Sequence, residues 1–390
     1  MSAGTPGAYP TAEQELLLRA VVSDPEVAVA SWQQWKALTG GLADHDEASY
    51  RVMPMLYRRL SSHVPDDAAL ATLKGVYRHT WYQNQRLLHL TEQLLHTLDD
   101  AGIPTLLLKG AAMIEVYYRD AGMRPMVDVD VLVPDSRVLE AFRLLAGAGW
   151  KERTCQPYSR LRVTHHAAEW TDEKSRAVDL HWNALHVPAS DDAFWAAAVP
   201  VKVRSAGTLA LCPADQLLHL LAHGTGPFGA PVMWVADAMT VLQACGDASP
   251  DASAEPLDWD RLVRGAIDRG LTVRVARALR YLESGFAVAV PAATMASLSQ
   301  ARPAAGERLS EWALVHEPRH GAAYLHHWDR WRRVRAVYPK ASRPVDFLEY
   351  LSWQWQLESR RQLGRRLLRK AVQIARYGRS DPTGAAGGTF

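Results

Sequence analysis

The stretch Met126-Val-Asp-Val-Asp-Val-Leu-Val133 limits what this chain can fold into more than any other. Read as a β-strand, it turns Asp128 and Asp130 to one face and Val127, Val129 and Val131 to the other, into a core. Two carboxylates side by side on one face repel each other and are costly to desolvate. A divalent cation relieves that cost, and oxygen ligands of this kind suit Mg2+. An edge strand with acids on its wet face would give the same pattern. The motif therefore acquires meaning only from what surrounds it.

Composition sets the surroundings. The chain has 390 residues, 48% hydrophobic and 22% charged, which is ordinary for a globular protein of two or three domains. A net charge of +2 provides no global field that would demand nucleic acid as a partner. Cys155, Cys212 and Cys245 lie far apart with no C-x-x-C pair, which argues against a disulfide framework or a zinc site. The opening MSAGTPGAYPTAEQE lacks a basic n-region and an apolar h-region, and no run of about 20 apolar residues is present to span a bilayer. A cytoplasmic protein is expected.

The periodicity predicts an α+β fold, mostly helical overall, with a small mixed β-sheet core between helical regions. From Thr11 to about Asp100 the pattern is helical, with Leu87, Leu88, Leu94, Leu95 and Leu98 on one face. Ala101-Gly-Ile-Pro104 breaks that helix and launches a buried strand at Thr105–Leu108. Lys109-Gly110 then opens a helix through Tyr118, and the aspartate strand follows, closed by Pro134. A helix from Ser136 to Ala146 leads to a strand near Trp150. Strands at Val163–Trp170 and Ala177–Trp182 flank a hairpin turn, with further short strands at Val201–Arg204 and Thr208–Leu211. Helices resume at Pro213 and end in a long one around Val345–Arg376. The expected organisation is an N-terminal helical region (1–84), an α/β core (85–212), a C-terminal helical domain (213–380) and a disordered tail (381–390).

In Ala177-Val-Asp-Leu-His-Trp182, Asp179 and His181 share one face, opposite Val178, Leu180 and Trp182. This is a third carboxylate in an apolar-flanked strand. Three acids on neighbouring strands can hold two Mg2+ ions, an arrangement suited to phosphoryl or nucleotidyl transfer. Gly110, at a strand-to-helix junction, lets backbone N–H groups approach a triphosphate.

Leu108-Lys-Gly-Ala-Ala112, Arg124-Pro-Met-Val-Asp-Val-Asp-Val-Leu-Val133 and Val178-Asp-Leu-His-Trp182 together resemble the bacterial uncharacterised nucleotidyltransferase family of the DNA polymerase β-like superfamily. Cys212-Pro-Ala-Asp-Gln-Leu-Leu-His-Leu-Leu-Ala-His223 and Met233-Trp-Val-Ala-Asp237 are similar to its helical part, with a weaker echo at Tyr338-Pro339. The resemblance spans roughly residues 85–245. It implies that Asp128 and Asp130 are the paired metal ligands, and that Asp179 is the third carboxylate, binding metal or deprotonating the acceptor hydroxyl. Gly110 matches the phosphate-loop glycine. The superfamily usually has Gly-Gly or Gly-Ser where this chain has Gly110-Ala111, so no serine hydroxyl is available and Lys109 would supply charge instead.

Other residues admit two readings. Arg124 either reaches a phosphate or forms a salt bridge to Asp120 or Glu115. His181 faces the site, and one of His165 and His166 on the partner strand must point the same way. His219 and His223, spaced i, i+4, form a helix-face packing pair rather than a metal site, because no H-E-x-x-H glutamate lies between them. Asp237 caps, pairs or touches substrate. Arg360, Arg361, Arg365, Arg366, Arg369, Lys370, Arg376 and Arg379 interleave with leucines, as a solvated face or a surface for RNA, anionic membrane or an acidic carrier. Trp328, Trp331, Trp353 and Trp355 read as core.

The expectation is a Mg2+-dependent transferase that passes an NMP group, AMP foremost, from an NTP to an acceptor hydroxyl and releases pyrophosphate. Asp128, Asp130 and Asp179 hold the metal, and Lys109, Gly110, Arg124 and His181 contact the nucleotide. A small-molecule acceptor comes before a peptide or protein, and RNA comes third. The rival is a catalytically silent binding module on the same fold.

Overall fold

A computed structural model describes residues 8–42, 46–226, 231–246, 256–316, 323–337, 346–357 and 359–377. Tyr338-Pro339, Arg379 and the tail 381–390 lie outside the described residues.

Seven strands form one mixed sheet: β1 (Leu106–Leu107), β2 (Asp128–Leu132), β3 (Lys151–Glu152), β4 (Ala167–Thr171), β5 (Ala177–His181), β6 (Val199–Val203) and β7 (Ala206–Ala210). Their order is β3-β4-β5-β2-β1-β7-β6. Strand β2 runs parallel to β5 and antiparallel to β1, and β1 runs parallel to β7. The remaining neighbours are antiparallel. Helices carry the rest of the regular structure, so the architecture is α+β and predominantly helical, as the periodicity predicts.

The aspartate strand is central, which is why it is rich in valine: a strand buried on its inner face gains from β-branched side chains that pack on a pleated surface. Val129 and Val131 are fully buried together with Val178 and Leu180 of β5. They join the leucine stripe of the long helix Leu70–Asp100 and the helix Val138–Gly147 in one hydrophobic core. Val127 departs from the expectation. It precedes the paired strand and is 71% exposed, because the in-out alternation starts only where pairing does, at Asp128.

The other sheet face looks onto a second core. Leu106, Leu108 and Leu132 from the sheet pack there with Leu17, Trp32, Leu56 and Leu73 from the first helices. Leu217, Leu221, Val235 and Leu279 from the helices after residue 212 complete it. The carboxylates lie on this second face, flanked by helices from both ends of the chain.

Four sequence expectations need correction. Val163–Trp170 is not one strand: Tyr158–Thr164 is helical and β4 begins only at Ala167. Pro157 presets the helix entry, and Leu161 and Val163 bury their side chains from a helical turn, which a period-of-two reading misses. His165 and His166 therefore sit in the connection, not on the strand. The long C-terminal helix is two helices, Phe347–Gln354 and Arg360–Tyr377, with Gln356 between them in left-handed backbone. The last two strands are shifted by about two residues, and Trp328 is exposed rather than core. Trp331, Trp353 and Trp355 pack against a small cluster around Tyr350 and Leu363. Among the described residues, no helix is long and apolar enough to cross a membrane.

Candidate active site

The parallel register of β2 and β5 sets the geometry. Asp130 lies directly opposite Asp179, and Leu132 opposite His181. Residues paired across a parallel ladder share a face, so both carboxylates emerge on the side away from the valines. Oxygens of Asp130 and Asp179 and a ring nitrogen of His181 all lie within 4.8 Å of one another. Asp128 stands two residues earlier on the same face, outside that group of three.

Asp130 is buried and engaged twice at one oxygen. Lys109 Nζ donates to its Oδ1 at 2.6 Å, and His181 Nε2 lies 3.0 Å from the same atom. Burial pushes the Asp130 carboxyl up, but the Lys109 ammonium and the His181 hydrogen bond outweigh it and hold it far below the usual carboxylate range. Burial likewise depresses Lys109, and the adjoining Asp130 carboxylate reverses this and raises it. Asp128 has no such partner. Burial, then the charges of Asp130 and Asp179, push it up to about 6. Burial also raises Asp179, with His181 opposing and Asp130 adding to the rise. Crowded carboxylates of this kind fit a hard divalent cation, which supplies the positive charge they lack. His181 directs its ring nitrogen at Asp130 and so orients that carboxylate.

Lys109 reaches the site because of its backbone. It opens the helix Lys109–Met113 directly after β1, with φ of 44°, left-handed backbone that a non-glycine residue adopts only under constraint. Gly110 follows, buried. A Cβ there would stand 2.7 Å from Met126 Cγ and 2.8 Å from an Arg124 guanidinium nitrogen, so a side chain would require both neighbours to shift. The expected helix through Tyr118 is present, its second half wound as a π-helix, Ile114–Tyr118.

Arg124 pairs with neither Asp120 nor Glu115. It is buried and grips Asp237 through Nε (2.9 and 3.1 Å) and a terminal nitrogen (2.8 Å), while the Tyr118 hydroxyl donates to the same carboxylate at 2.9 Å. Asp120 belongs instead to Arg58 and Tyr77. This ties the segment before β2 to the helix Met233–Ala244. Asn84 fixes the same segment: its amide donates to the carbonyls of Ala121 and Arg124 and accepts from Met126 N.

His219 and His223 stack, ring centroids 5.8 Å apart. His166 packs edge-on against His181 at 5.2 Å. A cavity of about 300 Å3 opens beside Lys109 and Asp179. Three contributors escape a reading of the sequence: the Asp237 partnership, the position of Arg51, and the wall of that cavity. Arg51 is largely buried, with an Nε that meets no hydrogen-bond partner among the described residues and with Arg124, Asp237 and Asp128 close enough for their charges to be felt. Asn84 leaves a trace in the sequence, as a polar residue on the buried stripe of a helix, three residues before Leu87.

A mixed sheet with carboxylates facing one another on adjacent strands, beside a lysine at a strand-to-helix junction, forms a site able to hold a divalent cation. The chain belongs to an uncharacterised nucleotidyltransferase family, whose profile matches residues 45–302. Nucleotidyl transfer is therefore its class of reaction. A search of curated proteins returns no match.

Proposed function

We propose that the protein transfers an NMP group, AMP foremost, from an NTP to a hydroxyl on a small molecule or biosynthetic intermediate. The observation that carries this reading is the Asp130, Asp179 and His181 group, ligand atoms within 4.8 Å, in a chain of a nucleotidyltransferase family. In the reaction the acceptor oxygen attacks the α-phosphorus in line and a new P–O bond forms. The bond from the α-phosphorus to the bridging oxygen breaks, and pyrophosphate leaves with that oxygen. Asp179, the less committed of the two facing carboxylates, takes the hydroxyl proton.

Asp128, Asp130 and Asp179 would hold the divalent cation, Mg2+ in two-ion form, which would offset phosphate charge and stabilise the leaving oxygen. The Gly110 backbone N–H contributes a donor to the phosphates, and Lys109, paired with Asp130, sets the charge of the carboxylates beside them. His181 and Arg124 act on the nucleotide through neighbours, His181 by aiming Asp130 and Arg124 by fixing the approach to β2.

The test is incubation with each α-labelled NTP, Mg2+ and a metabolite pool. Label transfer is expected, falling at least about 1,000-fold in Asp130→Asn and Asp179→Asn. Nucleotide binding with no label transferred to any acceptor would replace this reading by a binding-only role.

A further inference from the structure

The cavity beside Asp179 and Lys109 has a wall that nucleotidyl transfer does not by itself explain. His166, His186 and His223 line it, together with Arg274. Packing holds the rings in place: His166 lies 5.3 Å from His186, edge-on, and His223 is stacked on His219. Among the described residues, neither ring nitrogen of His166 or His223 has a protein hydrogen-bond partner. Both residues are half-buried at the cavity, so their unspent nitrogens are open to hydrogen bonds from water or a ligand there.

The charge of the wall decides what that ligand is. Arg274 is spent on Glu311 at 2.6 Å and on the Ala222 carbonyl at 3.1 Å. Lys109 is spent on Asp130. A triphosphate needs several uncommitted cations, and this cavity does not offer them. What it offers are imidazole nitrogens that donate or accept a hydrogen bond, above a carboxylate placed to receive a hydroxyl proton. We propose that the cavity is the acceptor pocket, and that the acceptor is a neutral, polyhydroxylated small molecule of monosaccharide size. Its reactive hydroxyl points at Asp179 and its other hydroxyls are read by His166 and His223. The role given to Asp179 rests on the nucleotidyl-transfer reading; the pocket and its ligand class do not.

Saturation-transfer NMR on the full chain with glucose, mannose, N-acetylglucosamine, myo-inositol, glucosamine and glucose 6-phosphate tests this. A neutral polyol is expected to bind. Affinity should fall at least tenfold in His166→Phe and in His223→Phe, which keep the rings and remove the nitrogens. Should those variants unfold, the wild-type protein still decides: bound polyol is expected to protect His166 and His223 from diethylpyrocarbonate, mapped by mass spectrometry. No binding by any neutral member, undiminished binding in both variants, absent protection, or competitive displacement by Mg2+-NTP would each overturn the proposal. Polyol binding without label transfer from any NTP would sink the transfer reading and leave the pocket standing.

Discussion

Asp128 and Asp130 are two residues apart on one strand face, yet the structure gives them opposite circumstances. Asp130 has Lys109 and His181 on one oxygen. Asp128 has no hydrogen-bond partner among the described residues, and burial and two like charges outweigh the opposing Lys109 and His181 and push it up to about 6. Without cations, Asp128 is therefore a liability to the fold at neutral pH. Asp128→Asn is expected to raise the stability of the metal-free protein by about 1–2 kcal/mol, since a pKa difference of one unit is worth about 1.4 kcal/mol and partial exposure reduces it. The same variant should lose most of the melting-temperature increase that Mg2+ gives the wild type. Thermal unfolding of both proteins in EDTA and in MgCl2 measures both effects. A variant less stable than wild type in EDTA would refute this account of the site.

At the level of elements, register does the decisive work. A slip of one residue between β2 and β5 would set Val178 or Leu180 opposite Asp130 and turn Asp179 toward the valine core. The helix Pro213–Gly224 closes on this sheet face through His219, whose Nε2 meets the Ala184 carbonyl at 3.0 Å, just beyond β5. Burial, helped by the Lys109 and His181 charges, pushes His219 down to about 3 from 6.5. A depressed histidine adds stability that is complete above its unfolded value and is lost as pH falls from about 6.5 toward 3. The stability advantage of wild type over His219→Gln should therefore shrink by about 2 kcal/mol between pH 7 and pH 5. Urea denaturation of the pair at both values gives the difference, and an advantage that grew in acid would contradict the sign.

Across the whole molecule, two cores sandwich the sheet. The core on the carboxylate side is shared by the first helices, the sheet and the helices after residue 212. A chain beginning at residue 85 would strip Leu17, Leu18, Trp32, Trp35, Leu56 and Leu73 from that core. At about 1.5–3 kcal/mol of transfer energy for each of these six buried side chains, the loss is about as large as the roughly 5–15 kcal/mol that holds a domain together. The shortened chain is expected to bind a hydrophobic dye and to melt without a cooperative transition. A sharp calorimetric transition from it would show that the helical start is dispensable.

The elements that carry the acids were legible in the sequence because their signals are local. Alternation over eight residues marks β2, and a leucine stripe marks the long helix. Alternation in Ala177–Trp182 set Asp179 beside the pair before any pairing was visible, and three motifs in order then resemble one family. The sequence could not show that Arg124 is given to Asp237, since that partner lies far along the chain and two nearer acids were equally available. Nor could it show that a helical turn ends at His165, because Leu161 and Val163 satisfy a strand pattern as well as a helical one. Residue pattern alone thus determined which side chains stand on the face of which strand. Tertiary structure decided which of them meet, because ion pairs, cavity walls and shared cores depend on distance in space, and separation along the chain does not encode that distance.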